Sequence, residues 1–238
     1  MSEDAPFIDF SDTGIREYTD DYYVAWVDLM GVQSIMSRSM EQTAIDILSL
    51  HATAEQARDP ENIKLYPLQD GFYAISESQS AIKGFLGNVF EMLSTESIET
   101  YSRFKYVIRG AIAHGELIEV SELPEEINPE FIDSPFPKSA LLIGVPVIQA
   151  VESESEAPPF GIYVHESARG IYPEDEESPL EFKWWRWYEH RDIDSREIHS
   201  SLEDYYNWCK QNSEKIDYDI DDLERHKRMA KQYLTPPH

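Results

Sequence analysis

The spacing of short apolar runs between residues 22 and 114 constrains this chain more than any other feature. Tyr22-Tyr23-Val24-Ala25-Trp26-Val27-Asp28 is aromatic and β-branched and predicts a buried strand that ends in an acid. Gly31 breaks it. A helical pattern follows from Val32 to about Ala57, with Val32, Ile35, Met36, Ile45 and Leu48 as its apolar face, and Asp59-Pro60 closes it. Asn62–Leu68 and Phe72–Ser76 then flank Gln69-Asp70-Gly71, a glycine-containing hairpin turn with Asp70 near its tip. A second helix from Ser80 to about Leu93 and a strand over Tyr106–His114 complete the order β-α-β-β-α-β. That order predicts an α+β domain of ferredoxin-like type, an antiparallel sheet with its helices on one face. The first strand and the hairpin are then neighbours, which brings the end carrying Asp28 beside the tip carrying Asp70.

The flanking segments are less regular. Residues 1–20 are acidic and poor in aliphatics and are expected to form a flexible N-terminus. Residues 21–190 are expected to form the main domain and 191–238 a C-terminal helical extension. Within the main domain, Ser121–Lys138 carries four prolines and reads as a surface excursion. Ser139–Val151 predicts a helix that Pro146 kinks or delays. Phe160–Val164 and the aromatic run Phe182–Tyr188 predict strands, and Ser195–Gln211 and Asp219–Tyr233 predict two polar helices.

Charge narrows the function. The chain has 46 acidic and 20 basic residues, a formal net charge of −26. A surface of that sign opposes contact with nucleic acid or with anionic membranes. Because the acids are spread along the chain, they fit a salt-rich cytoplasm, where the screening length falls to about 3 Å at 1 M salt. A halophile's cytosol is the expected setting. Cys209, the only cysteine, excludes an intrachain disulfide and a cysteine-ligated metal cluster. No run approaches the roughly 20 apolar residues of a membrane span, and Ser2, Glu3 and Asp4 are unlike the basic start of a signal peptide. A cytoplasmic protein is expected.

Four motifs in order resemble the catalytic domain of the class III adenylate and guanylate cyclases, in a stand-alone archaeal or bacterial form. Val27-Asp28-Leu29-Met30-Gly31-Val32 resembles that family's first metal motif and Gln69-Asp70-Gly71-Phe72-Tyr73-Ala74 its second. Arg109-Gly110-Ala111-Ile112-Ala113-His114-Gly115-Glu116 is similar to its R-x-G-I-x-x-G strand, with Ala111 where glycine is usual. Gly144 to Glu152 falls where a glycine-started, alanine-containing helix is expected. The resemblance covers about Tyr22 to Ala168.

It implies the sheet of a nucleotidyl cyclase and conversion of a ribonucleoside triphosphate to a 3′,5′-cyclic nucleotide and pyrophosphate. Asp28, Asp70 and the backbone carbonyl of Leu29 would hold Mg²⁺ or Mn²⁺. Met30, Gly31 and Val32 would offer backbone N–H groups to the triphosphate. The active form would be a homodimer with sites between subunits, the metal pair coming from one and the base and transition-state groups from the other. Independent physics agrees: phosphoryl chemistry needs charge neutralisation and in-line positioning, and two carboxylates supply the oxygen ligands that Mg²⁺ prefers.

Three further positions depart from the pattern. Tyr66 stands where a purine-selecting Lys is usual, which leaves a pyrimidine base open. The transition-state Asn and Arg align with Ile148 and Glu152, so Gln149, one residue on, is the candidate replacement for the amide and Arg109 or Arg169 for the positive charge. The alternative is a cyclase fold that has lost catalysis and serves as a nucleotide-binding or regulatory module.

Overall fold

The structure, a computed structural model, describes residues 14–32, 36, 39–99, 107–123, 141–169, 182–189, 191–212 and 219–235. The acidic N-terminus, most of Ser121–Lys138 and the Glu174–Glu177 acid run lie outside them. The elements are β1 (Asp20–Met30), α1 (Met40–Ala57), β2 (Lys64–Leu68), β3 (Gly71–Ser76), α2 (Gln79–Glu99), β4 (Val107–Glu119), β5 (Leu142–Ile143), α3 (Val145–Glu154), β6 (Ile162–Val164), β7 (Trp184–Trp185), α4 (Ser195–Gln211) and α5 (Ile220–Leu234).

These strands form one sheet in the order β2-β3-β1-β4-β6-β7, with β5 paired to β4. The first four strands have the ferredoxin-like arrangement, β1 lying antiparallel between β3 and β4. The sheet is mixed rather than antiparallel throughout, because β6 joins β4 in parallel. β1 sits centrally for a plain reason: its Tyr22–Ala25 run is buried on both faces, which only a strand covered on both sides tolerates.

Alternation along β1 sorts its residues. Tyr23, Ala25, Val27 and Leu29 enter the main core beneath α1 and α2. Tyr22, Val24 and Trp26 point to the opposite face, where α3 packs through Ala150 and Val147. Helices therefore cover both faces, not one.

Several sequence boundaries move. α1 begins at Met40, where the Ser39 side chain accepts the Gln42 N–H, and its inward residues are Thr43, Asp46, Leu50 and Ala54. Ile45 and Leu48, expected on the apolar face, are instead 48% and 67% exposed. A phase carried forward from Val32 fails because it places Ile45 and Leu48 on the wrong side of a helix that starts afresh at Met40. Pro146 delays α3, as a proline in the first turn does. The aromatic run shortens to Trp184–Trp185, since Trp187 and Tyr188 turn inward: Trp187 Nε1 donates to the Phe160 carbonyl at 2.8 Å.

The C-terminal helices contribute to the main core. Ile198, Leu202, Tyr206 and Cys209 of α4 and Leu223, Ala230, Tyr233 and Leu234 of α5 belong to the cluster that holds β1 and α2. Tyr233, fully buried, donates from its hydroxyl to the Trp185 carbonyl at 2.6 Å and accepts the Tyr188 hydroxyl on its own carbonyl.

His226 on α5 has a pKa lowered to about 4, first by burial and then by the nearby Arg109 and Arg225 guanidinium groups. The unfolded chain therefore takes up this proton first as pH falls from about 6.5. Stability should be full above pH 6.5 and decline by up to about 1.4 kcal/mol per pH unit down to pH 4. Urea midpoints for wild type and His226→Gln across that range check this, the variant showing the shallower slope.

Candidate active site

Asp28 lies directly opposite Gly71 on β3 and opposite Arg109 on β4. Its strand position puts it on the face shared by Trp26 and α3. The Asp70 turn is fastened to β1 by the Leu29 N–H, which donates to the Asp70 carbonyl at 3.2 Å. The hairpin tip thus docks beside the end of β1, as the element order required.

Glycine is needed at position 71 for space. A Cβ there would come within 2.6 Å of both the Trp26 ring and the Val27 carbonyl. Gly71→Ala should therefore cost about 1–3 kcal/mol through overpacking, read as a lower chemical-denaturation midpoint at unchanged slope. Gly31 answers a different demand: its φ of +76° is left-handed, and nothing lies within 4 Å of where a Cβ would sit. Met30, Gly31 and Val32 leave β1 at this point, with Val32 buried.

Charge in the site is unbalanced. Asp28 has its pKa pushed up to about 7, first by burial, then by the negative charges of Glu154 and Asp70, with Arg109 opposing. Glu154, near the end of α3, is raised by burial and pulled back by Arg109. Its carboxylate accepts a hydrogen bond from Arg109 Nε within a buried ion pair. Three carboxylates thus share one guanidinium.

Such a cluster fits a cation. Among the described residues no three His, Cys, Asp or Glu side chains converge tightly enough to hold a metal on protein atoms alone. Two carboxylates completed by substrate phosphates and water is, however, the usual manner of magnesium.

The remaining sequence candidates lie away from this cluster. Tyr66 on β2 is half-buried across from Tyr73, and its hydroxyl donates to Glu119. Glu119, 4% exposed, also accepts from Lys64 Nζ at 2.6 Å. The Tyr66 ring flanks the Trp26–Tyr73 pair, whose centroids are 4.6 Å apart. Gln149 lines an open groove of about 420 Å³ with His114, Glu116, Gly144, Pro146 and Ser167. It precedes Glu154 by five residues, about 7.5 Å along a helix axis, so Asp28, Asp70 and Arg109 cluster without it. His114 packs its ring on Tyr23 at 4.4 Å, on the main-core face, and its backbone N–H donates to Ser167 Oγ. Arg169 is committed to the Val164 carbonyl and does not join the cluster.

Sequence reasoning missed Glu154 and Glu119. Glu154 follows Ala150 by four residues, so both occupy the sheet-facing side of α3; Glu119 continues the inward alternation of Leu117.

No protein-family model matches the sequence, and no curated protein matches it either. Solved structures do match. A bacterial light-regulated adenylyl cyclase aligns over 63% of this chain and 44% of its own, at 10% identity and a TM-score of 0.51. The dimeric guanylyl cyclase domain of the RhoGC fusion protein from the aquatic fungus Blastocladiella emersonii aligns over 62% of this chain and 80% of its own, at 16% identity and 0.48. The guanylate cyclase domain of RhGC from Catenaria anguillulae, solved in complex with GTP, aligns over 62% and 79%, at 15% identity and 0.48. The chain has the fold of an adenylate/guanylate cyclase catalytic domain.

Proposed function

We propose that this protein is a divalent-metal-dependent nucleotidyl cyclase that turns a ribonucleoside triphosphate into a 3′,5′-cyclic nucleotide and pyrophosphate. The observation that carries the reading is the cluster at the end of β1: Asp28, its pKa raised first by burial and then by the charges of Glu154 and Asp70, on a cyclase fold. A carboxylate kept in that condition gains most from a cation. Mg²⁺ or Mn²⁺ held by Asp28, Asp70 and the Leu29 carbonyl supplies neutralisation of phosphate charge when bound. Met30, Gly31 and Val32 bind the phosphates through backbone N–H groups, the left-handed Gly31 keeping the approach open. Arg109 adds the positive charge.

The site is shared by two copies of the chain. Gln149 and Tyr66 lie apart from the Asp28 cluster within one chain, as base and transition-state groups of a partner would. The outer side of α3 and the adjoining β5 present Ile143, Val145, Ile148 and Val151, between 40% and 65% exposed, an apolar stripe that a second copy covers. Tyr66 in place of Lys favours a base recognised by stacking, a pyrimidine included.

No helix among the described residues is long and apolar enough to cross a membrane. With a net charge of −26 the protein suits a salt-rich cytoplasm, and its melting temperature should rise steeply between dilute buffer and molar KCl, whereas a flat response contradicts that setting.

The function is tested by incubating purified protein with each of the four ribonucleoside triphosphates, Mg²⁺ or Mn²⁺ and KCl. One of them should yield cyclic nucleotide and pyrophosphate. If a triphosphate raises the melting temperature yet none is consumed, the chain is a nucleotide-binding module instead.

A further inference from the structure

We propose that Glu154 is a positioning residue for phosphate recognition: it grips Arg109 by Nε and so presents the two terminal guanidinium nitrogens to a phosphate group beside Asp28 and Asp70. The inference rests on the triphosphate reading above and concerns how this chain recognises that part of its substrate.

Arg109 faces a choice of partners. In the sheet it stands directly across from the Asp28 carboxylate. A guanidinium has five donors in a planar fork, and left alone beside a carboxylate it makes a two-point contact that satisfies both groups. Such a contact would cap Asp28 and use up the fork. The structure shows another arrangement. Among the described residues, the hydrogen bond of Arg109 runs from Nε to Glu154, and none is made by its terminal nitrogens. Glu154 reaches that nitrogen because Ala150, on the same side of α3 and fully buried, lets the helix lie close to β4. Both partners are largely shielded, with side-chain exposures of 17% for Arg109 and 9% for Glu154, so solvent screens the pair little. What remains is a planar two-pronged donor on the strand position facing Asp28, the geometry that suits a phosphate group in a way a lysine ammonium cannot reproduce.

Isothermal titration of inorganic tripolyphosphate, and separately of orthophosphate, into wild type, Glu154→Gln and Arg109→Lys in the presence of Mn²⁺ tests this. Melting temperatures are recorded alongside. Wild type should bind tripolyphosphate more tightly than orthophosphate. Glu154→Gln, which keeps an acceptor but loses the charge that holds Arg109, should lose about tenfold in tripolyphosphate affinity and little for orthophosphate. Arg109→Lys retains an ion pair with Glu154 but has no fork; it should lose at least as much, and it tests the idea even if the Gln variant does not fold. A purely structural ion pair would move the melting temperature and leave the ratio of the two affinities alone, and that result overturns the positioning role while the triphosphate reading stands. If wild type does not bind tripolyphosphate, both fall together.

Discussion

Asp28→Ala and Asp70→Ala should each abolish the proposed cyclic-nucleotide formation, with turnover falling by roughly 10³-fold or more, because several kcal/mol of charge stabilisation would go with the lost carboxylate. The same substitutions should leave the fold intact. For Asp28 the effect on stability has the opposite sign to the effect on activity. Its folded pKa lies near 7, above the ordinary value of an aspartate, so the native state binds the proton more tightly than the unfolded chain. Stability therefore falls as pH rises from about 4 toward 7, and Asp28→Asn, which cannot ionise, should melt at a higher temperature than wild type at neutral pH without metal. A residue that lowers stability while supporting turnover is the signature of a functional position rather than a turn former. Parallel melting curves and turnover assays on Asp28→Asn measure both signs; a variant that loses activity and stability together would mark Asp28 as structural.

Tyr233→Ala should cost about 3–5 kcal/mol, the range for emptying a large buried aromatic site. The ring is fully buried, stacks edge-on against Tyr188 at 5.4 Å and Trp184 at 6.3 Å, and its hydroxyl satisfies the Trp185 carbonyl. It ties α5 to β7 and, through the shared core, to α2 and β1. Chemical unfolding should then remain a single transition, shifted to lower denaturant, by both tryptophan fluorescence and far-ultraviolet circular dichroism. Two separated transitions in wild type would mean that α4 and α5 form an independent unit.

What the sequence disclosed and what it hid follow from the range of the physics involved. The order of strands and helices, and with it the approach of Asp28 to Asp70, was legible because strand alternation and a glycine turn act over a few residues. The approximate extent of α4 was legible for a similar reason: in the structure Asp194 caps one end, and a regular apolar face of Ile198, Leu202, Tyr206 and Cys209 runs to the other. The inward face of α1 was not legible. Its phase is set by the new start at Ser39 and by burial of the polar Thr43 and Asp46, which no hydrophobic pattern announces. The helix on the second face was missed because the sheet's topology fixes which strands are neighbours but not which side a later helix returns to. Glu154 and Glu119 stayed hidden for a related reason: each is an ordinary acid in a chain full of acids, and only the fold brings it against Arg109 or against Tyr66 and Lys64. Tyr66 was visible as a substitution, while the partner of its hydroxyl lies 53 residues away in the chain.

The proposed chemistry requires Asp28 and Asp70 to grip one divalent ion together. A crystal soaked with Mn²⁺ and a non-hydrolysable ribonucleoside triphosphate, with data collected for manganese anomalous scattering, measures this directly. An anomalous peak is expected about 2.0–2.3 Å from an oxygen of each carboxylate, bridged to phosphate oxygens and missing in crystals of Asp28→Asn. Bound triphosphate with no peak between the two side chains, or a peak held by other residues, would contradict it.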